Sequence, residues 1–247
     1  MTRLRTLLFA APLMLALVSC NSEETGDAAL DGEVAAAVAP PAGSSWTATA
    51  SRTEQGGWLV GNPDAPIKLV EYGSLTCPAC AAFSVEGSAN LHTDYIDTGR
   101  VNYEFRSVLI HGVVDLLITR MLECAPVASA VPLADQVWAN LDTVSGGFQS
   151  NGPALEAAMT LPEGQRFVQL SQLGGLTGFF AARGISADQA NVCMADSAAV
   201  EALAETTGAQ AEADGVNSTP TFLLNGQKLD GTRWSDVEAA LQRAGAR

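Results

Sequence analysis

Histidine is almost missing from this 247-residue chain: there are two, His92 and His111. Only one Cys-x-x-Cys occurs, Cys77-Pro78-Ala79-Cys80. A zinc site usually takes four ligands, and no second pair is there to complete it, so no metal site is expected. Positive charge is scarce as well. Thirteen Lys and Arg stand against 27 Asp and Glu, a formal balance of −14, and no basic run occurs. Such a chain does not hold a phosphate backbone, which excludes nucleic acid as a partner. The sequence has no Gly-rich phosphate loop, no internal repeat and no second membrane segment. Aromatics are nearly absent from residues 21–57, with Trp46 the exception.

What is present begins at the N-terminus. Arg3 and Arg5 precede an apolar stretch from Leu7 to Val18, the pattern of an export signal. The stretch is too short to span a bilayer comfortably as a permanent helix. It ends in Leu17-Val18-Ser19-Cys20, which resembles the lipobox of bacterial lipoproteins. That reading makes residues 1–19 a signal peptide and Cys20 the lipidated residue; the alternative is an ordinary secretory signal with an incidental cysteine. Residues 1–19 hold two of the Lys and Arg and none of the Asp and Glu, so the balance without them is −16. Residues 20–57, rich in Ala, Gly, Ser, Thr, Glu and Pro, read as a flexible tether. The remainder suffices for one domain, or one domain with a large insertion.

The element pattern is β-α-β, then a helical block, then β-β-α. Ile67–Tyr72 reads as a strand and Gly73–Thr76 as its break. Cys77 opens a helix, with Thr76 a candidate N-cap and Pro78 in the first turn; Gly99 ends it. Val101–Val108 alternates as a second strand, parallel to the first by the βαβ rule. Residues 113–214 are mainly helical, with helices expected at 113–124, 131–141, 155–159, 167–182 and 187–213, the last broken near Asp196. Pro220–Leu224 and Gln227–Leu229 flank the hairpin turn Asn225-Gly226, and Ser235 is expected to cap a final helix. The domain division is therefore 58–112, an insertion at 113–214, and 215–247.

The chemistry centres on the cysteines. Outside the cytosol disulfides are permitted, and apart from Cys20 four cysteines remain. At a strand-to-helix junction the free N–H groups and dipole of the helix stabilise the thiolate of Cys77. Cys77 is then the attacking sulfur, and the deeper Cys80 resolves the mixed disulfide. A half zinc site and a purely structural disulfide are the alternatives. Glu71, six residues before Cys77 in an apolar strand, is a candidate buried acid that exchanges a proton with Cys80, unless the strand is an edge and it faces water. Thr219-Pro220 starts a strand, where a cis bond would leave the backbone of Thr219 free to pair with an extended client; an ordinary trans proline is the alternative. Cys124 and Cys193, 69 residues apart, are a structural disulfide across the helical block, two buried free cysteines, or a second redox pair. His92 and His111 read as surface or satisfied histidines.

Together these residues resemble the DsbA-like branch of the thioredoxin superfamily. The resemblance rests on Gly61-Asn62-Pro63-Asp64-Ala65-Pro66, on Leu69-Val70-Glu71-Tyr72 leading to Cys77-Pro78-Ala79-Cys80, and on Gly215-Val216-Asn217-Ser218-Thr219-Pro220-Thr221-Phe222 before Asn225-Gly226. It covers residues 57–245 and implies an α/β, thioredoxin-like fold with an inserted α-helical subdomain. It also implies a periplasmic or cell-envelope oxidoreductase, here a membrane-anchored lipoprotein, acting on reduced or misoxidised exported proteins. Cys77 is the nucleophile by that analogy, Cys80 the resolving thiol, Pro220 the cis-proline and Glu71 the buried acid. Thr219, Pro78 and Ala79 meet the client. No cofactor is implied, a membrane redox partner recycles the pair, and a monomer is expected, with oxidase favoured over isomerase and reductase. One departure stands out: members often carry His directly before the second cysteine, and this chain has Ala79. Its loss predicts a higher Cys77 pKa and a weaker oxidant. A rival from another class is a thioredoxin-fold lipoprotein that binds copper(I) or peptide without redox turnover.

Overall fold

A computed structural model describes residues 32–247; the expected signal peptide and Cys20 lie outside the described residues. The sheet grows from strands whose alternate residues are buried. β3 (Ile67–Gly73) hides Ile67, Leu69 and Glu71 on one side and pairs in parallel with β4 (Val101–Ser107). Between them run α1 (Pro78–Asn90) and a π-helical turn at Leu91–Ile96, ended by Gly99 at φ 71°. On the other side of β3 lies β5 (Thr221–Leu224), antiparallel, and beyond it β6 (Gln227–Lys228). Asn225 and Gly226 both have positive φ, the geometry a two-residue hairpin requires.

Two further strands complete the sheet: β1 (Ala50–Arg52) and β2 (Trp58–Gly61), giving the order β1-β2-β4-β3-β5-β6. The segment expected to be a tether is therefore structured from residue 32 onward. Trp46, on a 3-10 turn, is 8% exposed, and its indole N–H donates to the Val38 carbonyl at 2.7 Å. Gly32 and Ala35 donate to the carbonyls of Arg243 and Gly245, and Arg100 Nε donates to Ala35 O. The composition hides this because backbone groups, not apolar side chains, make most of the contacts. Gly99 lets the strap pass, since a Cβ there would strike the Val38 carbonyl and the Trp46 ring.

Eight helices lie between β4 and β5: α2 (Val113–Cys124), α3 (Val127–Trp138), α4 (Leu141–Ser150), α5 (Gly152–Ala158), α6 (Glu163–Leu173), α7 (Leu176–Ala181), α8 (Ala187–Ala195) and α9 (Ser197–Ala213). The helix expected over 167–182 is two, because Gly175 takes a left-handed conformation, φ 79°. The helix expected over 131–141 begins earlier and ends at Trp138, with Pro132 exposed inside it. The last helix, α10 (Trp234–Arg243), is capped at Arg233, which leaves Ser235 within its first turn. Among the described residues no helix is long and apolar enough to cross a membrane.

Aromatic contacts join the layers. Phe105 of β4 stacks on Trp58 at 5.9 Å and takes the edge of Trp138 from α3 at 5.3 Å. Phe83 of α1 meets Phe222 of β5 at 4.5 Å and Trp234 of α10 at 6.1 Å. Cys124, ending α2, is disulfide-bonded to Cys193 in α8, with Cα atoms 6.2 Å apart. Closing a loop of 69 residues restricts the unfolded chain by about 4 kcal/mol.

Two stability measurements check these assignments. The double variant Cys124→Ser/Cys193→Ser should lose up to about 4 kcal/mol in denaturant unfolding. Trp46→Ala should lose about 3 kcal/mol, as for a large buried ring; a true tether residue would show no loss.

Candidate active site

β3 ends in a loop, Gly73–Thr76, whose shape is imposed from outside. The Asp115 carboxylate of α2 is fully buried and accepts from Ser74 Oγ at 3.0 Å, Thr76 N at 3.1 Å, Thr76 Oγ1 at 2.9 Å and His111 N at 2.8 Å. Trp138 Nε1 donates to the Ser74 carbonyl at 3.0 Å. Thr76 is thus spent on Asp115, and the N-cap of α1 is Cys77 itself, with Pro78 as the first helical residue. Neither Asp115 nor Trp138 is singled out by the sequence. The one available signal is an acid in the first turn of an otherwise apolar helix pattern.

Cys77 and Cys80 are both unpaired thiols, 6% and 0% exposed, while Pro78 and Ala79 between them face solvent. The Thr219-Pro220 bond is cis, and Cys77 Sγ lies 3.4 Å from Thr219 O. The β3–β5 register, Tyr72 opposite Thr221, delivers this loop to the sulfur. The Thr219 hydroxyl is buried without a partner in hydrogen-bond range. Sequence positions 71, 77, 80, 219 and 220 therefore come together; Cys124 and Cys193 lie elsewhere, in the helical insertion.

The two sulfurs are electrically unlike. Cys77 is lowered to about 5, first by the Cys80 thiol donating to it, with help from the backbone N–H groups of Cys80 and Ala79, and against burial. Cys80 is pushed far up, because it holds the proton for Cys77, because it is buried, and because Glu71 lies close. Glu71 itself is raised to about 8 by complete burial; Tyr103 Oη donates to its Oε2 at 2.7 Å and opposes the shift. Its other oxygen, Oε1, has no partner and occupies the space that the missing side chain of Gly73 leaves open. A cleft of about 430 Å³ adjoins the site, lined by Pro78, Val114, Leu141 and Phe148 together with the polar Thr76, His111, Asp142, Ser145 and Gln149.

A mixed sheet with a helical insertion, and a dithiol at a helix mouth beside a cis-proline, define a thioredoxin-fold protein with a paired-cysteine site. The model of the family described as Thioredoxin matches residues 53–243, and the chain belongs to that family. Disulfide bond formation protein D of Bacillus subtilis (strain 168) is 37% identical over 54 residues, which cover 22% of this chain and 24% of that protein. A Rickettsia bellii protein named "Putative protein-disulfide oxidoreductase" is 24% identical over 196 residues, 78% of this chain and 66% of that one. The chain thus spans about a quarter of the first relative and just under two thirds of the second. The crystal structure of a protein-disulfide isomerase from Novosphingobium aromaticivorans has a TM-score of 0.66 at 24% identity, covering 74% of this chain and 94% of that one. This likeness establishes the fold, thioredoxin-like with a helical insertion.

The charge states give opposite pH signatures. A depressed thiol stabilises the reduced fold fully above the unfolded thiol range, about 8.5, and this is lost as pH falls through about 5. The stability of the reduced form relative to the Cys77–Cys80 disulfide should therefore grow between those limits in paired denaturation curves. Glu71 behaves the other way. Its contribution is complete below the unfolded carboxyl value, about 4.3, and is lost as pH rises through about 8. In the disulfide form, Glu71→Gln should raise the denaturation midpoint over the parent chain above about pH 8 and hardly alter it in acid.

Proposed function

We propose that the chain is an extracytoplasmic protein disulfide oxidoreductase working as an oxidase on exported proteins. The observation that carries the reading is the asymmetric pair: an acidic Cys77 at the mouth of α1, with Thr219 and the cis-Pro220 in front and Cys80 and Glu71 behind. In the oxidised form a client thiolate attacks Cys77 Sγ and the Cys77–Cys80 bond breaks. Cys80 leaves as a thiolate and takes the proton that Glu71 holds at neutral pH. A second client thiolate then attacks the client sulfur of the mixed disulfide. The client disulfide forms, and Cys77 departs as a stabilised thiolate, a good leaving group. An extended client segment pairs with the open backbone of Thr219 and lies over Pro78 and Ala79.

The direction follows from linkage. Stabilising the Cys77 thiolate stabilises the reduced enzyme, so the disulfide is oxidising toward clients. Ala79 withholds a donor that a histidine there would supply, which supports a weaker oxidant than a Cys-Pro-His-Cys relative. The backbone N–H groups of Ala79 and Cys80 act on the sulfur regardless of that side chain. Cys20, as a lipid anchor in the cell envelope, would hold the enzyme near a membrane redox partner that reoxidises the pair.

The test is oxidation of a reduced client protein, followed by alkylation and mass mapping. Cys77→Ser should be inactive, and Cys80→Ser should accumulate the mixed disulfide through Cys77. Glu71→Gln should slow exchange about 100-fold or more near neutral pH, the lower end of what one proton-transfer group supplies. In a graded redox buffer, Ala79→His should move the couple to a more oxidising potential. A Cys77–Cys80 pair that stays disulfide-bonded in the presence of reduced client would overturn the oxidase reading.

A further inference from the structure

Three of the chain's 13 Lys and Arg line a single cavity, although the chain as a whole is strongly acidic. The cavity holds about 300 Å³. It lies where the C-terminal ends of three strands that run the same way, β1, β3 and β4, meet α2 and α9. Arg52 ends β1, Arg106 stands one residue from the end of β4, and Arg120 and Glu123 come from α2. None of Glu71, Cys77, Cys80, Thr219 and Pro220 lines it. The facing wall is α9, where Ala199, Ala202, Leu203 and Thr206 share one helical face. The two alanines leave the room, and the Thr206 hydroxyl is spent on the Ala202 carbonyl at 2.8 Å. The α9 wall is therefore largely hydrocarbon, opposite guanidinium groups.

The lining carries three cations and one carboxylate, Glu123. Arg106 is answered from outside the lining: Nε and Nη2 donate to Glu104, and Nη1 donates to Asp214 and to Tyr72 Oη. Arg52 and Arg120 share Glu123, at 3.2 and 2.9 Å. The further acid near Arg120, Asp196, stands 3.8 Å away and is more than half exposed. Arg120 Nε is buried with no hydrogen-bond partner. Burial holds Arg52 below the usual guanidinium value in spite of Glu123 and Glu104. The Arg52 guanidinium is held in place, 4.0 Å over the Trp58 ring. Its Nη2 and the Thr206 methyl both lie within 3.9 Å of the Cβ position that Gly56 leaves empty, so charge and hydrocarbon meet over a short span.

We propose that this cavity binds a small organic monocarboxylate, its head on the N–H donors that Arg52 and Arg120 do not give to Glu123 and its hydrocarbon body along α9. Two cations on one carboxylate leave a single charge to be met, and the guanidinium fork matches a carboxylate. A neutral amphiphile would leave that charge and the Arg120 donor unanswered. An inorganic anion would cover none of the α9 wall. The volume is at the lower end of small-molecule pockets, about 300–1,000 Å³, which restricts the body to a short chain or one ring. The site is independent of the oxidase reading.

The experiment titrates hexanoate into the full chain by calorimetry, with hexanol and inorganic phosphate as comparison probes. Hexanoate should bind saturably at one site. Hexanol, which lacks the charge, and phosphate, which lacks the hydrocarbon, should each bind about 10-fold more weakly or worse. Arg52→Gln, at a partly exposed strand end, should weaken hexanoate about 10-fold, the scale of one charged hydrogen bond. Ala202→Phe, which fills the cavity and keeps both arginines, should abolish binding. Thermal melts run alongside: hexanoate should raise the midpoint of the parent chain and leave that of Ala202→Phe where it is. A cooperative melt of each variant without hexanoate shows that it is folded. The absence of saturable hexanoate binding would overturn the proposal. So would hexanoate binding that either substitution leaves unchanged, or hexanol or phosphate binding as tight as that of hexanoate.

Discussion

The antiparallel pairing of β3 with β5 is the constraint on which the rest depends. Leu69 through Tyr72 align with Leu224 through Thr221, one residue opposite one residue. That register alone decides that Pro220 arrives in front of Cys77, across a separation of 142 residues between Thr219 and the sulfur it touches. A slip of one residue would turn Phe222 from the core to the other face and carry the proline away from the helix mouth. The helical insertion between these strands does not float. Asp115 and Trp138 reach from it into the loop before Cys77, so the same helices that lengthen the connection also fix the loop it serves.

Electrostatically the site is a gradient. At its outer end a sulfur meets helix N–H groups and stays charged; three residues on, another is enclosed and keeps its proton. Behind both lies an acid whose burial leaves one oxygen without a partner. Among the described residues no basic side chain pairs with Glu71; its hydrogen-bond donor is the Tyr103 phenol, itself buried and raised well above its usual value. The fold keeps an unfavourable group where an apolar one would pack better; in the proposed mechanism its use is to part with a proton when Cys80 needs one.

Much of this was legible in the chain. The strand before Cys77, the helix after it and the Asn225-Gly226 hairpin all follow from local chemistry that tertiary context does not override. Pro220 stands out at a strand start because it removes a ladder donor, and its bond is cis. The alternative of an edge strand for Glu71 fails because both sides of β3 are paired. What stayed hidden has physical reasons too. β1 and the strap at 32–49 are held through backbone groups, which leave no mark in side-chain composition. The Asp115 cluster joins residues 74, 76 and 111 to a helix more than thirty positions downstream of the loop, and short polar side chains give no periodicity to betray such a meeting.

The strap also separates two units that are easily equated. The stretch matched by the family, 53–243, begins after β1 and stops before Ala244 and Ala246, both enclosed. Cut to those limits, β2 would become a bare sheet margin with open donors and acceptors, the kind of surface that recruits a neighbouring molecule. The matched stretch is thus narrower than the packed body of this protein, whose outer strand and strap lie beyond it.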